Sequence, residues 1–483
     1  MRIAQVSAEL APFAKTGGLG DVCAALPRYL VAAGHDVRPF LPLYGNLRTG
    51  RDRMVPVGYA QDVPVRLGPR TFTFSLFATD LPGTSVPVYF VRCPALYDRA
   101  ATYTADPDEH LRFAFLTLAA IESCQRMGFS PDVFHAHDWH AALLPLYLNT
   151  LYAWDRARFG GTRTVLTIHN VGYQGTVSAR AVDDLGLAPH RSLLHRDELA
   201  RGRLSFLLHG ILYANALTTV SRTHALEMLS PEHGMGMDPY LRARAKDFVG
   251  IVNGIDTAIW SPAADPHLAA RYDVDDLAGK AACKRALLEG LGLAYAPSAP
   301  VIGIVSRLTG QKGLDLLEGV LPDLLAAADV RVVALGSGDA RLETFFADLA
   351  RRFPQKAAFT RGYDEPLAHR IEAGADLFLM PSRYEPCGLN QMYSLRYGTP
   401  PVVRRTGGLA DTVVPFDRRT GEGTGFVFEH ATAAGVAWGL KEALTTWLDR
   451  PAWARLVRNG MTQDWSWEKQ IRHYLALYAR LHA

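Results

Sequence analysis

Lys15-Thr16-Gly17-Gly18-Leu19-Gly20-Asp21-Val22 near the start of the chain is echoed by Arg405-Thr406-Gly407-Gly408-Leu409-Ala410-Asp411-Thr412 near its end. Each copy follows a run that reads as a buried strand, Ile3–Ser7 and Pro401–Val403, and each leads into a segment able to start a helix. Paired glycines let backbone approach a ligand closely because no Cβ intervenes. Helix N-terminal N–H groups favour anions, and the basic residue in front adds a full positive charge. The pair predicts two similar α/β halves, each presenting a Gly-rich loop to a shared cleft around a phosphorylated ligand.

Working outward, the first half alternates strand and helix signals. Val37–Leu43, Val86–Val91, Val133–Ala136 and Thr164–Ile168 read as strands, and Asp21–Ala33 and His110–Met127 as helices. Pro27 argues for a kink or an N-terminal position in the first helix. Val63–Leu67 and Thr71–Ala78 form a predicted hairpin with Gly68-Pro69 at the turn. The rhythm restarts after Val252-Asn253-Gly254-Ile255-Asp256. Strands are predicted at Val301–Ser306, Val330–Leu335, Ala357–Thr360, Asp376–Met380 and Val402–Arg404. Helices are predicted at Gly313–Ala328, Asp339–Arg352, Glu365–Gly374, Leu389–Tyr397, Ala434–Trp447, Pro451–Gly460 and Trp467–Leu481. Strands alternating with helices imply parallel pairing in doubly wound sheets.

Size and composition agree. A chain of 483 residues exceeds one ordinary core, so two domains are expected. Hydrophobic residues make up 48% and charged ones 20%, and the net charge is only +3, which gives no footprint for nucleic acid or an anionic membrane surface. No apolar run reaches about 18 residues, the length a membrane-spanning helix needs. Ile3–Ser7 is too short for a signal-peptide core and is followed at once by Glu9, Pro12 and Lys15. The five cysteines lack C-x-x-C spacing, which fits reduced thiols in the cytoplasm better than disulfides or zinc.

Several strand ends carry chemistry. Ser306–Gly313 follows a strand, where α/β folds bind ligands. There Arg307 offers a bidentate fork and Lys312 a point charge for a diphosphate; the bland alternative is a solvated basic loop. In Pro381–Leu389, Glu385 lies ahead of a helix, as a site carboxylate or a helix-dipole partner. Cys387 beside it reads as a structural thiol more readily than a nucleophile. His135-Ala136-His137-Asp138-Trp139-His140 gathers imidazole, carboxylate and indole. His135 and His137 share a face in extended geometry, so a metal is conceivable, but no third ligand is evident, and sugar recognition with Trp139 stacking is the better reading. Thr167-Ile168-His169-Asn170 also ends a strand in polar residues. A dinucleotide fingerprint fails on spacing: residues 17–20 read Gly-Gly-Leu-Gly, and Arg341 stands at the third glycine position after Gly336-Ser337-Gly338. A Walker loop is absent too.

In combination these motifs resemble the bacterial and plant glycogen/starch synthase family, retaining glucosyltransferases of the GT-B fold. K-T-G-G-L-G-D-V, H-A-H-D-W-H, T-I-H-N-V-G-Y-Q-G, V-N-G-I-D, S-R-L-T-G-Q-K-G, L-G-S-G-D, P-S-R-Y-E-P-C-G-L-N-Q and the second Gly-rich stretch occur in family order across nearly the whole chain. The resemblance implies two Rossmann-like domains with parallel sheets facing across a cleft. Their expected extents are 1–250 and 251–463, with a helix over 464–483 crossing back to the first. It implies glucose transfer from ADP-glucose to the non-reducing end of an α-1,4-glucan with retention, no cofactor, no metal, no nucleic-acid or membrane partner, and a cytoplasmic location. Carried over by motif, Lys15, Arg307 and Lys312 would hold the donor diphosphate. Tyr363 would pack near the nucleotide. Gly18 and the turn Thr406-Gly407-Gly408-Leu409 would give backbone donors. Asp138, His169, Asn253 and Glu385 would surround the transferred glucose, with Cys387, Gly388 and Leu389 in the same binding loop. Tyr97, Trp139 and Asn170 would position donor sugar or acceptor. His224, where the family often has Tyr, and Asn390, at a variable position, depart from the pattern outside these residues. Another retaining GT-B transferase and a non-catalytic glucan-binding protein are the alternatives; the second is opposed by the basic loop and Glu385.

Overall fold

The structure, a computed structural model, describes residues 1–482. Two compact units divide them: residues 1–220, 225–251 and 470–482 form the first, and 221–224 and 252–469 the second. Among the described residues no helix is long and apolar enough to cross a membrane.

The first unit is built on a mainly parallel sheet. Its parallel strands run in the order Phe248–Gly250, Ala216–Thr219, Arg163–Ile168, Val133–His137, Arg2–Val6, Asp36–Pro42, Pro87–Arg92. Arg70–Asp80 adds antiparallel to the edge and pairs with Val63–Leu67 in the expected hairpin. Val133–His137 is buried at every position, as a central parallel strand covered on both faces must be. The second unit holds a wholly parallel sheet in the order Ala357–Arg361, Arg331–Gly336, Val301–Val305, Leu377–Met380, Pro401–Arg404, Phe426–Phe428. That is the Rossmann order, and in both sheets the winding reverses beside the first strand. The reversal lies between Arg2–Val6 and Val133–His137 in one unit and between Val301–Val305 and Leu377–Met380 in the other. Ligands bind outside the carboxyl ends of strands at such a reversal. Sequence position thus places Ser306–Gly313 beside Pro381–Leu389, and the first Gly-rich loop beside Asp138.

Local chemistry explains where the structure departs from expectation. The first helix spans Gly18–Ala32, so the paired glycines form its opening turn rather than a loop before it. Pro27 sits inside this helix and donates no N–H to the carbonyl of Cys23, four residues back. Gln5 Nε2 donates to that carbonyl instead, at 2.8 Å. The helix expected over Gly313–Ala328 is two pieces, a 3₁₀ segment Leu314–Gly319 and an α-helix Leu321–Ala327. Gly313 is left-handed with φ 65°, its Cβ position 2.1 Å from the Pro381 carbonyl oxygen, and Pro322 starts the second piece. The strands Ala216–Thr219, Phe248–Gly250 and Phe426–Phe428 and the helices Phe206–Tyr213 and Ala278–Gly290 were not foreseen. The strands are too short for a period-2 signal to register.

Candidate active site

At the reversal in the second unit, the two loops after the adjacent strands bring their charges together. Lys312 Nζ donates to Glu385 Oε2 at 2.5 Å, and Ser382 Oγ donates to the same oxygen at 3.0 Å. Glu385 is 5% exposed, while Oε1 takes no protein hydrogen bond among the described residues. This decides between the two sequence readings of Glu385: it pairs with a lysine across the switch point and does not cap the helix Asn390–Arg396. Ser382, which the sequence did not single out, is the residue that orients it. Arg307 is exposed at the mouth of the same loop. Asn253 is buried, and its Oδ1 has no partner among the described residues. The Cys387 thiol lies against the Asn253 backbone, and burial pushes it up to about 12, so it is a packed, protonated thiol. Tyr363 is 67% exposed after Gly362. Leu389 is half-buried at the N-cap of the helix Asn390–Arg396.

The second Gly-rich stretch serves a different purpose from the first. Cβ atoms on Gly407 and Gly408 would lie 2.0 Å from the Glu385 carbonyl oxygen and 2.1 Å from that of Cys387. Gly408 N–H donates to the Glu385 carbonyl at 3.1 Å, and Leu409 N–H to that of Thr406. The expectation of ligand-facing donors from this turn is therefore corrected at Gly408, whose N–H braces the Glu385 loop from behind, and at Leu409, whose N–H closes the turn itself. Gly388 is left-handed with φ 74°, and its Cβ position is 2.4 Å from Gln391 Oε1. Gln391 Nε2 in turn donates to the carbonyls of Cys387 and Gly388. By contrast, Cβ positions on Gly17 and Gly18 meet no atom within 4 Å. Those glycines answer to no packing demand of the protein and keep an approach to backbone open.

In the first unit, Lys15 pairs with Asp21 at 2.7 Å. Asp138 follows a strand with φ 55°, and its Oδ1 accepts His169 N–H at 2.7 Å and Asn170 N–H at 3.4 Å. It thereby fixes the backbone of the neighbouring strand end. Burial, helped by the nearby Glu9, pushes its carboxyl up to about 7 against those two donors. Asn170 Oδ1 is used by Gly172 N–H at 2.9 Å. His137 Nδ1 meets His169 Nε2 at 3.0 Å, and His135 sits between Tyr478 and Thr167 hydroxyls at 2.7 and 2.6 Å. His137 and His169 also lie with Cys23 in a group whose ligand-type atoms fall within 4.8 Å of one another, a third member that the sequence spacing did not show.

One expected sugar contact, Tyr97, is a packing residue, whereas Trp139 is half-buried. Tyr97 is 0% exposed, and its hydroxyl donates to the Arg112 carbonyl at 2.8 Å. It is corrected to the core: its flanking Pro94-Ala95-Leu96 form a turn of helix that inserts it there. The Trp139 ring packs edge-to-face on Phe113 at 5.0 Å and lies over Gly175, whose Cβ position is 2.2 Å from the ring. Glycine at 175 makes room for the indole.

The buried imidazoles predict a pH response. Burial holds His135, His140 and His169 down to about 3, and His137 well below its ordinary value. Their folded values are depressed, so the neutral forms favour folding above pH ~6.5, and this is lost as pH falls toward 3. Asp138, with a raised folded value, works in the opposite direction, losing stability as pH rises through about 7. The four imidazoles outnumber Asp138 and the two other buried carboxyls with raised values, Glu372 and Asp376, so the thermal midpoint falls between pH ~6.5 and ~4. A midpoint that is flat or rising over that interval would show that these rings take up protons within the fold.

Comparison with known proteins bears on the whole arrangement. Residues 2–243 match the family model described as starch synthase catalytic domain, and residues 294–460 that of glycosyl transferases group 1. The chain is 47% identical to a glycogen synthase of Anaeromyxobacter dehalogenans, with 100% of this chain and 99% of the relative covered. It is 42% identical to glycogen synthase 1 of Geobacter metallireducens, over 99% and 96%. Among solved structures, the catalytic domain of starch synthase IV from Arabidopsis thaliana, bound to ADP and acarbose, superimposes with a TM-score of 0.91 at 34% identity, covering 100% of this chain and 99% of that one. Motif order, Rossmann sheets and relatives agree: the chain is a glycosyltransferase of GT-B fold and belongs to the starch/glycogen synthase family.

Proposed function

We propose that the chain transfers glucose from ADP-glucose to the non-reducing end of an α-1,4-glucan, with retention of configuration, in the cytoplasm. The observation that carries this reading is the Lys312–Glu385 pair at the switch point, in the loop that also carries Arg307. The relative bound to ADP and acarbose, and the relatives named glycogen synthase, support it. The leaving group is a diphosphate. Arg307 and Lys312 meet its growing charge, and Lys15 is assigned to the donor diphosphate by the same reading. Oriented charge at a developing anion is generally the largest catalytic contribution. Glu385 holds the Lys312 ammonium through Oε2 and keeps Oε1 for the ligand. Asn253 Oδ1 is a second buried acceptor suited to a sugar hydroxyl. His169 is assigned to the transferred glucose, with its ring anchored by His137 and its backbone by Asp138. Asn170, Tyr363, Gly388 and Leu389 complete the proposed binding set; Cys387 contributes packing.

The test is an assay of glycogen with ADP-glucose and UDP-glucose, after exhaustive chelation, with the anomeric configuration of the product read by NMR. Expected are turnover with ADP-glucose without added metal and a new α-linkage. Activity only with UDP-glucose, loss of turnover restored by a divalent ion, or a β-linked product would contradict the reading.

A further inference from the structure

Glu9 is a buried carboxylate that no motif assigns, 3% exposed at the end of the first strand. Its two oxygens are fully used. Oε2 accepts Thr16 N–H at 2.7 Å and Gly17 N–H at 3.2 Å. Oε1 accepts the Thr16 hydroxyl at 2.6 Å and the Tyr103 hydroxyl at 2.5 Å. A carboxylate offers about four acceptor sites, so none is left for a ligand. It has no ion pair among the described residues. Burying an unpaired charge is costly unless hydrogen bonds compensate, and here every one of them reaches the first Gly-rich loop or the tyrosine beside it.

The surroundings fix the carboxylate from the other side. Ser7 Oγ donates to the Glu9 carbonyl at 2.8 Å and accepts Glu9 N–H at 3.2 Å. Ala11 N–H reaches across to the Gly20 carbonyl at 3.0 Å, tying the turn to the first helical turn. The Tyr103 ring stacks on His140 at 4.9 Å, linking the clamp to the segment that carries Asp138. Glycines at 17 and 18, unrestrained by side-chain packing, would otherwise leave this segment with high backbone entropy.

We propose that Glu9 is a positioning residue for the donor: it clamps Thr16 and Gly17 so that Lys15 and the backbone at Gly18 are held ready for the nucleotide-sugar diphosphate. This rests on the functional reading above. Loop residues held in advance lower the ordering cost of binding, so the clamp acts on donor affinity and not on the glucan.

The experiment compares wild type with Glu9→Gln, Thr16→Val and Tyr103→Phe, all in the full chain. Hydrogen exchange of the Thr16 and Gly17 amides, the dissociation constant of ADP by calorimetry, and KM for ADP-glucose and glycogen are measured on each. Glu9→Gln should speed exchange at both amides and weaken ADP by roughly tenfold or more, the scale of losing a hydrogen bond to a charged group. KM for ADP-glucose should rise with it while KM for glycogen stays put. Thr16→Val and Tyr103→Phe, which leave the buried carboxylate in place, should show smaller shifts in the same sense, so a folding defect of Glu9→Gln alone does not decide the matter. Unchanged exchange at Thr16 and Gly17 in all three variants overturns the clamp. Faster exchange with ADP affinity and donor KM unchanged overturns its action on the donor, as does an equal rise in KM for glycogen. If wild type itself neither binds ADP nor turns over ADP-glucose, the functional reading fails, and the donor assignment of the clamp fails with it.

Discussion

Lys312→Ala lowers kcat/KM for the sugar donor by roughly two to three orders of magnitude, the scale of losing one oriented charge at a developing anion. Lys312 is also the partner of a carboxylate that is 5% exposed. Breaking a buried pair from one side leaves an uncompensated charge and costs about 3–5 kcal/mol. The single variant therefore loses stability as well as turnover. Lys312→Met combined with Glu385→Gln should regain most of the thermal midpoint, because no buried charge is left unpaired, and regain no activity. Glu385→Gln alone should be nearly as inactive as Lys312→Ala, and Arg307→Ala should fall by a similar factor without a drop in midpoint, since Arg307 is exposed. Effects of groups acting on one diphosphate do not add. A double variant that recovers both stability and turnover would show the pair to be structural.

Gly408→Ala has the next largest expected effect. Its Cβ would sit 2.1 Å from the Cys387 carbonyl oxygen and 2.5 Å from the Cys387 Cα. Both are backbone atoms, so the loop that carries Glu385 must move. Overpacking against fixed backbone costs about 3 kcal/mol, and an ångström-scale shift of a catalytic group costs roughly a hundredfold in rate. Gly18→Ala is the matched control. It meets nothing within 4 Å and lies in the first helical turn, where alanine is preferred over glycine by up to about 1 kcal/mol. Its thermal midpoint should hold or rise while donor use falls. Midpoint and kinetics measured on both variants separate the cases; a Gly408→Ala protein with normal stability and turnover would contradict the bracing role.

The contrast between these two glycine pairs marks what the sequence could and could not convey. Their likeness correctly signalled two α/β halves with loops at strand ends, because strand periodicity and glycine placement are local. Their different uses are not local. Gly407 and Gly408 are required by a loop some twenty residues away in sequence, while Gly17 and Gly18 face open space. Arg307, Lys312 and Glu385 were legible because each follows a strong apolar strand, and the sheet order then brings their loops together. Tyr97 was misread because a tyrosine in Pro94–Tyr97 looks the same in sequence whether it points to a cleft or into the core. Glu9 was passed over because Tyr103, one of its partners, is met only once the chain has turned back on itself, and Ser382 because a serine three residues before Glu385 reads as any polar loop residue until the loop's turn is known. The split of Gly313–Ala328 lay in plain sight in Gly319 and Pro322, but apolar spacing across it imitated one continuous helix.

The proposed function places the diphosphate of a nucleotide-sugar donor in the switch-point loops of the second unit. Titration calorimetry of ADP against AMP, on wild type and Lys312→Met/Glu385→Gln, tests it most directly. Wild type should bind ADP much more tightly than AMP, because the second phosphate meets Lys312 and Arg307, and most of this preference should be lost in the double variant. Equal affinity for the two nucleotides in wild type, or an undiminished preference in the double variant, would contradict it.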